Sequence, residues 1–351
     1  MYNKAKIMDV TLRDGSYAIN FQFSEYETEK ISEYCNASEI DYIEIGHGMG
    51  IGASNADNGI ALCTDVEYLS AARKGANNAK YGMFCIPSFT SPESIDVLKD
   101  YGASFVRVGA NVTEIETTKE YIKRAKELGL EVMTNYMKSY AVSPYEFAER
   151  VKLSESYGAD VVYLVDSSGS MNQHDIEAYY EAIRKVSSIR LGFHGHNNLG
   201  LAVSNTIFAA ELGFDIVDTS MLGMGRSAGN AATELYLGNL LKDNSQIKYD
   251  LRTILECEKK IVKPLWKHCS NELDLYCGIA QFHTSYMKNI RKFALKYRVN
   301  PLDLIINYSK YDRVNMDESV LEKIASTMES NKDCVLTEFH FNEYFGDEQR
   351  K

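Results

Sequence analysis

The chain has 351 residues, of which 45% are hydrophobic and 25% are charged, a composition typical of a globular protein with one or two domains. Its formal net charge of −11 argues against the phosphate backbone of a nucleic acid as a partner. No apolar run approaches the length of a membrane span, and the N-terminus lacks the apolar region of a signal peptide. The seven cysteines are odd in number and show no CxxC spacing, which predicts reduced thiols and a cytoplasmic location.

Short β-branched or apolar runs alternate with segments of helical spacing along the first part of the chain. The predicted strands are 7–12, 42–45, 81–86, 104–108, 131–136, 160–165, 189–193 and 215–219. The predicted helices span 25–37, 64–74, 117–128, 173–186 and 200–212, and two more open at 91–93 and 143–146. At 143–146 the sequence Ser-Pro-Tyr-Glu predicts an N-cap and a capping box.

Eight strand–helix units in about 240 residues are close to the size of a TIM barrel. Polar residues gather just after strands 1, 2, 6, 7 and 8. In a barrel these strand ends form one face, whereas a doubly wound open sheet would concentrate its site at one switch point. The pattern therefore favours a (β/α)8 TIM barrel.

After about residue 250 the pattern becomes helical, with no strand run between the helices. Segments 251–268, 282–297, 301–309 and 318–328 have helical spacing, and 338–351 predicts a frayed tail. We expect a catalytic barrel domain over 1–245, a small all-helical domain over 246–330 and a C-terminal tail over 331–351.

Two histidines at the end of strand 7 form a candidate metal site. Because strand side chains alternate, His194 and His196 face the same side, and Asp14 follows strand 1 on the same face of a barrel. Two imidazoles, one carboxylate and open positions suit Mn²⁺ or Mg²⁺, whereas Zn²⁺ prefers more nitrogen or sulfur ligands. The alternative is that both histidines only form hydrogen bonds at the rim.

Arg13 lies beside this site in the sequence. Its guanidinium could stabilise an oxyanion that develops during a reaction. The simpler interpretation is a structural ion pair with Asp14 or Glu44, and both remain open here.

Five motifs in order carry a family resemblance. Thr11-Leu12-Arg13-Asp14-Gly15 resembles the signature of the DRE-TIM metallolyases. Segments 44–48, 166–169, 194–199 and 223–231 resemble the 4-hydroxy-2-oxovalerate aldolase branch. The resemblance extends to about residue 325. It includes the helical region, which is similar to the domain through which such aldolases dock an acylating aldehyde dehydrogenase.

The resemblance implies a class II pyruvate aldolase in a homo- or hetero-oligomer. Asp14, His194 and His196 would bind Mn²⁺, with Mg²⁺ or Co²⁺ as alternatives, and the 2-keto acid would chelate the ion. The ion and Arg13 would hold the pyruvate enolate. The remaining expected site residues are Ser167 and His194 at the substrate, Phe84 and Ile86 at the aldehyde pocket, and Glu44 and Asn230 supporting the ligands. Core packing and a turn serine are the simpler interpretations of Phe84, Ile86 and Ser167.

One departure concerns the acid–base residues. Tyr17 stands where the family carries a catalytic histidine, and Gly278-Ile279-Ala280-Gln281-Phe282-His283 ends in histidine where the family carries tyrosine. We therefore predict a swapped pair, in which His283 is the general base and Tyr17 orients it. The alternative is that both changes are drift, with different substrates or none.

Two other functions compete with the aldolase. Acyl-CoA-dependent Claisen enzymes and lyases of the same superfamily resemble Arg-Asp-Gly-x-Gln, but Tyr17 replaces the glutamine. The lyases also carry a cysteine in the loop after strand 8, and 223–230 has none. The second competitor is a non-catalytic docking subunit.

Overall fold

A computed structural model describes residues 5–243, 247–266 and 272–330. Eight parallel strands pair in chain order and close into a barrel because β8 pairs with β1. This confirms the predicted TIM barrel. The strands are β1 Lys6–Asp9, β2 Tyr42–Ile45, β3 Lys80–Cys85, β4 Phe105–Asn111, β5 Glu131–Met137, β6 Val161–Asp166, β7 Arg190–Gly195 and β8 Ile216–Thr219.

Helices follow the strands and form the outer layer of the barrel. These are α1 Glu25–Ala37, α2 Asp65–Gly75, α3 Asp96–Asp100, α4 Lys119–Glu127, α5 Pro144–Tyr157, α6 Gln173–Arg184, α7 Ala202–Leu212 and α8 Thr233–Lys242. The later helices are α9 Leu251–Cys257, α10 Lys263–Leu265, α11 Glu272–Ala280, α12 Met287–Tyr297, α13 Pro301–Ser309 and α14 Glu318–Thr327. No helix among the described residues is long and apolar enough to cross a membrane.

The first strand is shorter than the sequence predicted. It ends at Asp9 rather than at residue 12, because the backbone turns back on Val10. The Val10 carbonyl accepts hydrogen bonds from the amides of Asp14 at 2.8 Å and Gly15 at 3.1 Å. This turn carries Asp14 over the mouth of the barrel.

The helical region also differs from the prediction in detail. The helix predicted over 251–268 is divided into α9, a π turn over Glu258–Val262 and α10. The helix predicted from residue 282 begins only at Met287, after a 3-10 turn, and α11 was not predicted. The predicted tail, 338–351, lies outside the described residues.

The two largest apolar clusters among the described residues divide along the chain. The barrel core extends past β8 through Tyr249, Ile254 and Trp266. A second core, made by α11 to α14, contains residues from Leu273 to Ala325. The cores therefore separate between Trp266 and Leu273, and the division of the chain at residue 245 stays a prediction.

The capping box of α5 gives a test of local stability. Ser143 Oγ accepts the Glu146 amide at 3.3 Å, and the Glu146 carboxylate accepts the Ser143 amide at 2.8 Å. We expect Ser143→Ala to lower the free energy of unfolding by about 1 kcal/mol, measured from reversible urea unfolding. Ser156→Ala, at an exposed site of the same helix, is the control and should change it by less than about 0.5 kcal/mol. Equal losses in both variants would contradict the capping argument.

Candidate metal centre and active site

Three buried side chains meet at the C-terminal mouth of the barrel. Ligand atoms of Asp14, His194 and His196 all lie within 4.8 Å of one another. The turn after β1 supplies the carboxylate, and the end of β7 supplies both imidazoles. The structure thus brings together the three residues that the sequence predicted as ligands.

The hydrogen bonds of the two imidazoles direct their remaining lone pairs toward each other. His194 Nδ1 lies 2.9 Å from Asp218 Oδ2, and His196 Nδ1 lies 3.3 Å from the Gly229 carbonyl. Because both oxygens accept, each Nδ1 carries a proton, which leaves Nε2 as the ring atom that can bind a metal ion. The two Nε2 atoms are 3.4 Å apart. Two nitrogens at this distance share either a proton or a cation, and with the Asp14 carboxylate beside them the donor set fits a metal ion.

Charge states at the centre match this arrangement. Burial, together with the nearby cationic side chains, lowers the pKa of His196 to about 3, so this imidazole is neutral. Burial alone would raise the pKa of Asp14, but the adjacent Arg13 guanidinium brings it below its usual range. Asn230 Nδ2 also donates to Asp14 Oδ2 at 2.8 Å. The centre therefore offers two imidazole nitrogens and one carboxylate.

A continuous chain of ion pairs connects Asp14 to His194 behind the metal centre. We call it the charge chain, and in order it consists of Asp14, Arg13, Glu44, Arg107, Asp218 and His194. Arg13 Nε donates to Glu44 Oε2 at 2.6 Å, and Arg107 Nε donates to Glu44 Oε1 at 2.7 Å. Arg107 Nη1 donates to Asp218 Oδ2 at 2.5 Å, the oxygen that also contacts His194. Arg13 thus makes the ion pairs that were considered for it and also faces the active-site cavity.

Arg107 and Asp218 were missed by the sequence analysis. Burial disfavours the charge of Asp218, but the pKa of this carboxyl stays below its usual value because Arg107 is adjacent. Arg107 itself is fully buried, and its guanidinium carbon lies 4.7 Å from the centroid of the Tyr163 ring. The available signal was a charged residue inside each of two otherwise apolar barrel strands, β4 and β8.

The formal charges of this assembly suit a divalent ion. Two arginines face three carboxylates, so the formal charge of the charge chain, counted without its imidazole, is −1. A divalent cation would change this to +1, which one carboxylate of a bound ligand would neutralise. The donor set and this charge both fit a divalent metal ion.

A cavity of about 530 Å³ opens in front of the metal centre. Nine of the eleven predicted site residues line it, namely Arg13, Asp14, Tyr17, Phe84, Ile86, Ser167, His194, His196 and His283. The other two, Glu44 and Asn230, lie behind it, in contact with Arg13 and Asp14 respectively.

Phe84 has a packing role as well as a place in the cavity wall. Its ring centroid lies 4.8 Å from the Arg13 guanidinium carbon, so the ring covers one side of the charge chain. A Cβ atom at Gly109 would come within 2.3 Å of this ring, which explains the glycine in β4. Phe84 is 3% exposed, whereas Ile86 is only partly buried.

Ser167 is fixed by the strand next to it rather than left as a free turn serine. Its Oγ accepts the backbone N–H of Lys138 at 2.8 Å. Lys138 extends its buried side chain to the helical region, where Nζ contacts the Tyr286 hydroxyl at 2.8 Å and the Val314 carbonyl at 2.5 Å. These contacts tie the end of β5 to the segment that carries His283.

His283 and Tyr17 lie on two sides of an arginine that the sequence analysis did not select. The Arg226 guanidinium carbon is 4.3 Å from the centroid of the Tyr17 ring, and its Nη1 lies 3.2 Å from His283 Nε2. His283 Nδ1 lies 2.7 Å from Ser285 Oγ. Burial and the positive charge of Arg226 hold the pKa of His283 well below its usual value, which keeps this imidazole neutral. Arg226 was visible only as a basic residue in a glycine-rich loop.

Comparison with known proteins shows that this chain is similar to members of one enzyme family. Residues 4–261 match the HMGL-like family. The 4-hydroxy-2-oxovalerate aldolase of Carboxydothermus hydrogenoformans is 35% identical over 327 residues, which cover 93% of this chain and 97% of that protein. The 4-hydroxy-2-oxovalerate aldolase 4 of Rhodococcus opacus is 33% identical over 327 residues, which cover 93% of this chain and 94% of that protein.

Solved structures share the fold. The carboxyl transferase domain of Rhizobium etli pyruvate carboxylase, in a structure with pyruvate, has a TM-score of 0.74 at 15% identity over 93% of this chain and 60% of that one. The HMG-CoA lyase of Brucella melitensis has a TM-score of 0.65 at 18% identity, and the match covers 74% of this chain and 98% of that one. At these identities the likeness is one of fold.

The charge chain predicts how metal affinity depends on a residue that would not touch the ion. Asp218→Asn removes the negative charge that fixes the proton on His194 Nδ1. We expect the dissociation constant for Mn²⁺ to rise about 10- to 100-fold, measured by isothermal titration calorimetry. The exposed Asp243→Asn is the control and should leave it unchanged. An unaltered Mn²⁺ affinity in a folded Asp218 variant would contradict the role assigned to this carboxylate.

Proposed function

This chain belongs to the HMGL-like family and its 4-hydroxy-2-oxovalerate aldolase branch, and on that premise we propose that it is a divalent-metal-dependent class II pyruvate aldolase. The reaction is the reversible cleavage of a 4-hydroxy-2-oxo acid to pyruvate and an aldehyde. The observation that carries this proposal is the pair of imidazole nitrogens beside the Asp14 carboxylate, with ligand atoms that all lie within 4.8 Å of one another.

Asp14, His194 and His196 would hold the ion, with Mn²⁺ as our first choice and Mg²⁺ or Co²⁺ as alternatives. When bound, the ion supplies a Lewis acid that polarises the keto group of the substrate. The open side of the centre faces the cavity, so the keto acid can approach from there.

Arg13 would stabilise the charge that develops on the keto oxygen. Its guanidinium lines the cavity, and its position is fixed by Asp14 at 2.8 Å and Glu44 at 2.6 Å. A donor that is already oriented needs no reorganisation when the oxyanion forms. Ser167 lies on the same cavity wall and is proposed to contact the substrate carboxylate.

His283 would remove the proton from the C4 hydroxyl. The C3–C4 bond then breaks, its electron pair becomes the pyruvate enolate, and C4 leaves as the aldehyde carbon. The lowered pKa of His283 keeps its imidazole unprotonated and able to accept this proton. Tyr17 would orient His283 through Arg226, because the described contacts place Arg226 between the two rings. Phe84 and Ile86 would line the aldehyde pocket.

We also propose that the helical region docks a partner, and the sequence resemblance suggests an acylating aldehyde dehydrogenase. In support, α11 leaves Leu275 and Ile279 about half exposed. The cytoplasmic location inferred from the cysteine pattern stays a prediction.

The proposal is tested by two assays on the Mn²⁺-loaded protein. We expect Mn²⁺-dependent deuterium uptake into the methyl group of pyruvate in D₂O, and pyruvate release from 4-hydroxy-2-oxopentanoate. Both should disappear in Asp14→Asn, which loses the carboxylate ligand. A protein that shows neither activity would instead be the docking subunit, and thiol release from an acyl-CoA would favour the competing lyase or Claisen enzyme.

The general base is tested by a histidine pair. We expect His283→Ala to lower kcat for aldol cleavage by about 10²- to 10⁴-fold, because no other group is assigned to the C4 hydroxyl proton. Mn²⁺ affinity should stay unchanged, since His283 is not a ligand. His174→Ala, at an exposed site on α6, is the matched control and should behave as wild type. Near-normal cleavage by the His283 variant would exclude the swapped pair.

A further inference from the structure

We propose that Asn135 is a further substrate-binding residue, whose side-chain amide donates a hydrogen bond to the carboxylate of the bound 2-keto acid. This inference rests on the proposed aldolase function and adds to its site a residue that the sequence analysis did not select.

Strand alternation directs Asn135 into the barrel. Its neighbours Thr134 and Tyr136 face outward, where both hydroxyls lie within hydrogen-bond distance of one serine of α5. Met133, two residues before Asn135, packs in one apolar cluster with Ile216 of β8, a contact that only the barrel interior allows. Because residues two apart in a strand face the same side, Asn135 also points inward, and it lines the cavity.

The strand register places Asn135 on the level of a proposed metal ligand. Asn135 of β5 pairs with Tyr163 of β6, and His194 of β7 pairs with Val165, two residues further along β6. In a barrel with a shear of about eight residues, the level rises by about one residue from each strand to the next. The inward side chains of alternate strands therefore share a layer, and Asn135 and His194 belong to the same one.

The Asn135 amide is buried, and no hydrogen bond among the described residues uses it. Asn135 is only 3% exposed. The inward positions beside it offer no polar group, because Gly109 in β4 has no side chain and Val165 in β6 is apolar. The hydroxyl of Tyr163 lies 3.9 Å from the sulfur of Met8 instead. Since a buried amide without a partner costs free energy, the molecule that fills the cavity must supply one.

The carboxylate of the keto acid is the best partner for this amide. A keto acid that chelates an ion at His194 Nε2 would lie over the layer that contains Asn135. An amide N–H forms a stronger hydrogen bond with an anionic oxygen than with a neutral one. Ser167, which is proposed to contact the same carboxylate, accepts the backbone N–H of Lys138 at 2.8 Å, just past the end of β5. Asn135 and Ser167 therefore approach the keto acid from one wall.

The experiment compares Asn135→Ala and Asn135→Leu in the Mn²⁺-loaded protein. We expect both variants to raise the dissociation constant for pyruvate, measured by isothermal titration calorimetry, about 10- to 100-fold. The KM for pyruvate in methyl deuterium exchange should rise by a similar factor, whereas the KM for the aldehyde in condensation should stay unchanged. Asn239→Ala, at an exposed site of α8, is the control and should behave as wild type.

The leucine variant separates hydrogen bonding from packing. Leucine fills the volume of asparagine but cannot donate, so recovery of pyruvate binding in Asn135→Leu would mean that Asn135 only packs. Unchanged pyruvate binding in both variants, or a rise confined to the KM for the aldehyde, would also contradict the inference. With an active wild type, these results would leave the aldolase function standing.

A failure of the aldolase function itself has a different signature. Absence of both deuterium exchange and cleavage in wild type would contradict that function and this inference together. Wild-type melting temperatures and Mn²⁺ affinity in the two variants establish that they are folded and that their metal site is intact.

Discussion

The close approach of two imidazole nitrogens is the constraint on which the rest of this site depends. The two Nε2 atoms face each other across 3.4 Å because Asp218 and the Gly229 carbonyl hold the Nδ1 atoms on the opposite side of each ring. Asp218 in turn requires Arg107, since a buried carboxylate that lacked a cation would take up a proton. The ion pairs then continue through Glu44 to Arg13. The interactions that orient the imidazole of His194 therefore also hold the guanidinium of Arg13 at the cavity.

The sequence predicted the parts of this arrangement that follow from local pattern. Strand periodicity places His194 and His196 on one face, and the rule that barrel sites lie at strand C-termini brings Asp14 to them. Arg107 and Asp218 were not predicted because a charged residue in a strand has no partner nearby in the sequence. Glu44 and Asp218, the partners of Arg107, are 63 and 111 positions away from it in the chain. The shortened β1 escaped prediction for a related reason. Its apolar run continues past Asp9, and only the hydrogen bonds to Val10 end the strand.

The helical region illustrates a different limit. Its helical nature is visible in the spacing of apolar residues, but its position relative to the barrel depends on a few polar contacts. Lys138 adopts a left-handed backbone conformation at the end of β5 and reaches Tyr286 and Val314. Asn198, after β7, donates to the Asp274 carbonyl in α11 at 2.8 Å. These contacts hold His283 at the cavity, and none of them produces a periodic signal in the sequence.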